Sequence, residues 1–249
     1  MNSLATAPAK NGRAIKPGRL PGNPALALWS TPIGKKIVMA VTGGILVLFV
    51  VVHMIGNLKM FAGAETIDAY ARFLREVAQP ELGYSGLLWI VRIILLVSVV
   101  LHIVAAAQLN RMNRSARPVG YEVKKNIATS YSAVLMGWGG VLLAIFIVFH
   151  ILHFTLGAVG FKPGQYEDLQ VYHNMTIAFH VWWIFTFYMV SMVALCFHLD
   201  HGIWSMLQTL GWNTRKNRRT LRALSRLIAV VVFLGFISAP IAVMAGWLH

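Results

Sequence analysis

The sequence predicts an all-α fold: an integral membrane bundle of five transmembrane helices with an extended N-terminal segment. Three observations predict it. Five apolar runs stand in the chain, each near or above the roughly 20 residues that carry a helix across a bilayer's hydrocarbon core. Hydrophobic residues make up 57% of the 249 and charged residues only 12%, where soluble domains average about 25% charged. Mean hydropathy is +0.66. The basic residues behind the net charge of +14 sit in short segments between the apolar runs, a pattern of membrane orientation that needs no nucleic acid to explain it. Cys196 is the only cysteine, which excludes a disulfide within the chain.

Residues 1–31 read as a cytoplasmic N-terminal segment and 32–249 as the transmembrane domain. The first 31 lack the pattern of a cleaved secretory signal and are taken as retained. Pro17, Gly18, Pro21, Gly22 and Pro24 crowd helix breakers together there, so the segment is expected to lie against a partner or the membrane surface. Thr31, or Ser30 before it, can cap a helix whose first turn holds Pro32, where proline loses no hydrogen bond. The first span then runs to Phe61. The connection 62–84 contains DAYARFLREV, whose apolar and charged positions alternate at helical spacing and predict a short surface helix. The second span covers 85–109, the third 129–156, the fourth 174–199 and the fifth 227–248. Polar segments join them, the last rich in arginine.

Of the 22 Lys and Arg, 17 fall on the side that holds the N-terminus and the second and fourth connections. The other side has Lys59, Arg72, Arg75 and Lys162, and Arg92 lies within a span. The positive-inside rule then puts the N-terminus in the cytoplasm and the C-terminus outside, in a bacterial cell membrane with lipid as the solvent.

Orientation converts position into depth at about 1.5 Å per residue, and the histidines fall into two layers. His53 lies roughly 9 Å to the outer side of its span's centre, with His150 and His153 roughly 11 and 16 Å out. His102 and His198 lie roughly 8 and 17 Å to the inner side. Imidazole is costly in hydrocarbon unless it is paired or ligating. Two imidazoles facing each other can hold both axial positions of a haem iron, so one haem could use His53 with His150 or His153, and a second His102 with His198. Gly56 and the run Ala105 to Ala107 would give a macrocycle room, while Gly137, Gly139 and Gly140 read as close helix packing. His180 is expected to hydrogen-bond, His173 and His249 to be solvated, and His201 to meet a propionate, a partner or the interface. Arg92 could pair with a haem propionate or serve a quinone pocket, against plain snorkelling to the interface.

The first span, GKKIVMAVTGGILVLFVVVHMIGNLKMF, and the segment FHLDHGIWSMLQTLGWN from Phe197 to Asn213 together resemble the cytochrome b membrane-anchor subunit of succinate dehydrogenase and fumarate reductase, in its single-chain, five-helix form. The resemblance implies an anchor for a flavoprotein and an iron-sulfur subunit on the cytoplasmic face, and electron exchange with membrane quinone. It implies haem b, two per chain, with His53 of H-x-x-G-N, His102 and His198 as ligands; for the third span His150 is preferred on depth, with His153 as the alternative. Where some quinol-oxidising relatives carry a glutamate two residues before the fourth-span ligand, this chain has Cys196. Quinone candidates are Trp29, Ser30 and Lys36 at the cytoplasmic end, or Arg92, Glu76 and Glu81 at the outer one.

The reaction implied is succinate oxidation in the flavoprotein, with electrons passed singly to quinone; the chain itself supplies no succinate chemistry. Four alternatives stand beside it. A fumarate reductase anchor would run the same parts in reverse. A haem-free anchor could hold an iron-sulfur cluster through histidine, although one cysteine is short of the usual ligand set. A plain anchor would bind no cofactor. A histidine-relay transporter would need acidic residues or broken helices at the midplane, and the five spans as delimited contain no Asp or Glu.

Overall fold

The computed structural model describes residues 23–115 and 131–249. The basic residues of the leader from Lys10 to Arg19, its breakers up to Gly22, and Arg117, Lys124, Lys125 and Thr129 lie outside the described residues. Those described form nine α-helices and no strand: α1 (Pro24–Ser30), α2 (Pro32–Asn57), α3 (Ala64–Glu76), α4 (Gln79–Leu82), α5 (Gly86–Ser115), α6 (Tyr131–His150), α7 (Val171–Phe179), α8 (Trp182–Thr209) and α9 (Arg218–Met244). A 3-10 turn (Leu58–Ala62) extends α2 and a π-turn (Ile151–Thr155) extends α6. Five of the described helices, α2, α5, α6, α8 and α9, are long and apolar enough to cross a membrane.

The long helices show why lipid is their solvent. Leu48, Leu96, Val148 and Leu234 are each more than half exposed, and Trp138 is 82% exposed, surface that would be costly in water. Hydroxyl groups inside the spans return to the carbonyl one turn back, as Thr42 does to Val38, Ser191 to Phe187 and Ser225 to Leu221. Those hydroxyl hydrogens are thereby turned away from hydrocarbon.

The two central helices are α2 and α8. α5 packs on α2, α6 packs on α8, and α9 closes against both central helices. At one end the 3-10 turn, α3, α7 and the 156–170 connection gather into a cap. Its core is Met60, Ile67, Met175, Phe179, Ile184 and Tyr188, closed by Ala239 and Val243 of α9. Asp68 of α3 accepts the Tyr172 N–H at the start of α7 at 3.1 Å, and Arg75 pairs with Asp168 at 3.7 Å. A second core, with Met54, Leu199, Ile203, Leu207, Ala229 and Val232, fills the half toward the opposite, basic end.

Several boundaries differ from expectation. Pro24–Ser30 is a helix packed on α2, not extended chain. Thr31 does cap α2, accepting from the Gly34 N–H at 2.9 Å while its hydroxyl donates to the Leu28 carbonyl at 2.8 Å. The surface helix forms as α3. The fourth span is two helices: α7 ends at Phe179, where His180 Nδ1 meets the Thr176 carbonyl at 2.7 Å, and Val181 is extended before α8 begins. α8 then continues ten residues beyond Leu199, so a span does contain an acid, Asp200. α9 starts at Arg218, earlier than hydropathy suggests, because basic side chains occupy its first turns.

Candidate functional site

The four long helices that carry histidine bring them together in pairs. His53 of α2 and His150 of α6 have ring centres 5.8 Å apart, at 77° to each other. His102 of α5 and His198 of α8 lie 6.2 Å apart, at 57°. Each pair joins helices whose backbones barely meet among the described residues, since α6 leans on α8 rather than α2, and α5 on α2 rather than α8. The rings therefore bridge gaps that helix packing leaves open.

The revised helix ends also reconcile the depths. With α8 running to Thr209, His198 lies about 4 Å beyond that helix's midpoint, and His102 about 2 Å beyond the midpoint of the longer α5. The inner pair is therefore level. With the 3-10 and π extensions counted into their helices, His53 and His150 each sit roughly 10 Å from the midpoint, both toward the capped end.

Each ring has a distinct setting. His53 stacks on Phe49 at 5.3 Å and meets Phe236 at 5.9 Å. His102 Nδ1 lies 3.3 Å from the Thr42 hydroxyl, and a side chain on Gly43 would press on the same ring. His198 Nδ1 is buried without a hydrogen-bond partner. His150 Nδ1 lies 3.2 Å from the Tyr188 hydroxyl, and His153 Nδ1 lies 3.0 Å from that same oxygen. His153 is fully buried among Phe149, Phe154, Phe161 and Tyr188. It does not stand opposite His53 as His150 does.

A groove of about 390 Å³ opens between α6 and α8, walled by Trp138, Gly139, Leu142, Val193 and Phe197, with His198 in its lining. Gly137, Gly139 and Gly140 have open space where a Cβ would project and do not tighten a helix contact as expected, and Gly139 lines the groove. Gly56 gives room to Tyr70 of α3, whose ring would meet a Cβ there at 2.9 Å, and not to a macrocycle. Ala105 is buried, while Ala106 and Ala107 are exposed.

The remaining candidates are dispersed. The Arg92 guanidinium lies over the Trp89 ring at 5.0 Å, beside the capped end of α5. Trp29 is half-buried under Lys35, whose ammonium lies 5.2 Å over its ring and donates to its carbonyl. The Ser30 hydroxyl donates to the Ala27 carbonyl at 2.7 Å, and Lys36, Glu76 and Glu81 are exposed. The His173 side chain is 38% exposed, 3.2 Å from the Gln165 carbonyl and 3.6 Å from Glu167. His249 is exposed and His201 half-buried.

Three functional neighbours escaped the sequence. Tyr188 reads as one more aromatic in an apolar run. Lys35 reads as equivalent to Lys36. Asp200 pairs with Arg222 at 2.8 Å and Arg226 at 3.9 Å, fastening α8 to α9. Among the described residues no three His, Cys, Asp or Glu side chains converge as a metal site, so Cys196 has no ligand set around it for a cluster.

Five long apolar helices among the described residues, with histidines meeting in pairs between them, define a multi-pass membrane bundle. Residues 110–237 match the family described as the succinate dehydrogenase/fumarate reductase transmembrane subunit, and the chain belongs to that family as a membrane anchor subunit. The match takes in His150, His153, Tyr188 and His198 and begins beyond His53 and His102. No curated protein and no solved structure is similar enough to match.

Proposed function

We propose that this chain is the electron-transferring anchor of a succinate:quinone oxidoreductase, holding two b haems, one on His53 and His150 and one on His102 and His198. The observation that carries the reading is the meeting of four histidines from four helices as two facing pairs. Two imidazoles bound at about 2 Å on opposite faces of one metal ion have ring centres about 6 Å apart, close to both pairs. The surroundings of the rings are largely apolar, as a porphyrin requires, and the unpartnered His198 nitrogen, the bare Gly43 and the apolar groove at His198 fit the same group. When bound, haem would supply one-electron carriers at two depths.

The chain's own residues do the rest. Phe49 and Phe236 hold the His53 ring and exclude water, Thr42 orients His102, and Tyr188 orients His150. At the basic end, Gly34 lets the Leu28 carbonyl close on α2, which fixes the α1–α2 corner where Trp29, Ser30 and Lys36 would meet a quinone carbonyl. That end faces the cytoplasm by the positive-inside rule and docks the iron-sulfur and flavoprotein partners, which carry the succinate chemistry. His53→Ala or His102→Ala in the assembled complex should each remove b-type absorbance while the chain still inserts. Full haem content in both variants would overturn the assignment.

A further inference from the structure

We propose that Tyr188 and His153 form a directional hydrogen-bond pair that fixes which nitrogen of His150 is free to bind iron; this rests on the haem reading above. One phenol hydroxyl lies between two imidazoles, 3.2 Å from His150 Nδ1 and 3.0 Å from His153 Nδ1. The hydroxyl has a single hydrogen, so it donates to one ring and can accept from the other. A neutral imidazole likewise carries one N–H, and the hydrogen bond made by one nitrogen sets the role of the other.

Only one direction suits a ligand at His150. With Nδ1 engaged by the phenol, Nε2 is the nitrogen left for iron, and Nδ1 must keep the hydrogen and donate to the Tyr188 oxygen. The hydroxyl hydrogen then turns to His153 Nδ1, which accepts it. His153 in turn carries its hydrogen on Nε2, the atom that is buried without a partner beside Gly160. An unsatisfied buried imidazole nitrogen is costly and calls for a reason. Here the reason is direction: without an acceptor at His153, the phenol could donate to His150 and drive the hydrogen onto the nitrogen that should bind.

Residues three apart share one face of a helix, so His150 and His153 both reach one hydroxyl of α8, at the point where the π-turn Ile151–Thr155 begins. Tyr188 is 6% exposed and ringed by Phe146, Phe149, Phe154 and Phe179, so water does not compete for the hydroxyl. Tyr188 and His153 are therefore positioning residues. Accepting the Nδ1–H makes the ligand more electron-donating and favours ferric iron.

The test is a redox titration of the purified complex followed in the alpha band, with haem quantified. Tyr188→Phe should keep both haems, move one midpoint potential upward and leave the other in place. His153→Phe, which keeps the hydroxyl but removes its acceptor, should move the same potential in the same direction, and carries the test should the first variant assemble poorly. Ile67→Val, a packing change elsewhere in the cap core, should move neither. Unchanged potentials at full haem content in both the Tyr188 and His153 variants would overturn the proposal while leaving the haem assignment intact. A wild-type complex without haem would overturn both, a result separable from the first.

Discussion

Asp200 shows what a single residue contributes to this bundle. Its carboxylate is 16% exposed and the Arg222 side chain 20%, and the guanidinium donates to both the carboxylate and the Asp200 carbonyl. A charge that far out of water depends on its partner, so Asp200→Asn should destabilise the α8–α9 contact by about 2 kcal/mol. Thermal unfolding in detergent would measure it, and combining the change with Arg222→Ala should cost clearly less than the sum of the two. A full sum would mean the pair is not coupled. The histidine pairs, in contrast, were legible in the sequence, because imidazole stands out against hydrocarbon and depth follows from position. Tyr188 and Lys35 were not. Their roles depend on which side chain lies across a helix gap, and a tyrosine among phenylalanines gives no sign of it.

At the scale of elements, α2 and α9 approach closely at Gly235. A Cβ there would lie 2.3 Å from Met54 Sδ and 2.6 Å from its Cγ, in the core beside His53. Gly235→Ala should therefore cost about 1 to 3 kcal/mol of stability, as overpacking does, and Met54→Ala in the same chain should recover most of it. No loss in Gly235→Ala, read by the same unfolding assay, would show that Met54 yields freely. Hydropathy located all five spans but misplaced several ends. α8 runs on past Leu199 because Arg222 and Arg226 of α9 pair with the Asp200 carboxylate inside the protein, and a scale of transfer energies counts that residue as a breaker. The division at His180 and Val181 was hidden for the opposite reason: α7 and the start of α8 are both apolar, and only backbone conformation separates them.

For the whole molecule, the His53 and His150 pair lies toward the cap of α3 and α7 and the His102 and His198 pair near mid-span. We propose the direction from the distribution of Lys and Arg, with 17 of 22 on the side of the N-terminus. A reporter fused after His249 should therefore read external; a cytoplasmic signal would invert the scheme and move the basic docking face to the wrong side. The layering itself followed from the sequence, while the levelling of His102 with His198 required the true ends of α5 and α8. The central claim is that the facing pairs hold two haems. A dithionite-reduced minus air-oxidised spectrum of the purified complex, with haem quantified on the same sample, tests it most directly. A b-type alpha band at about two haems per chain is the predicted result; a complex with no haem band would contradict it.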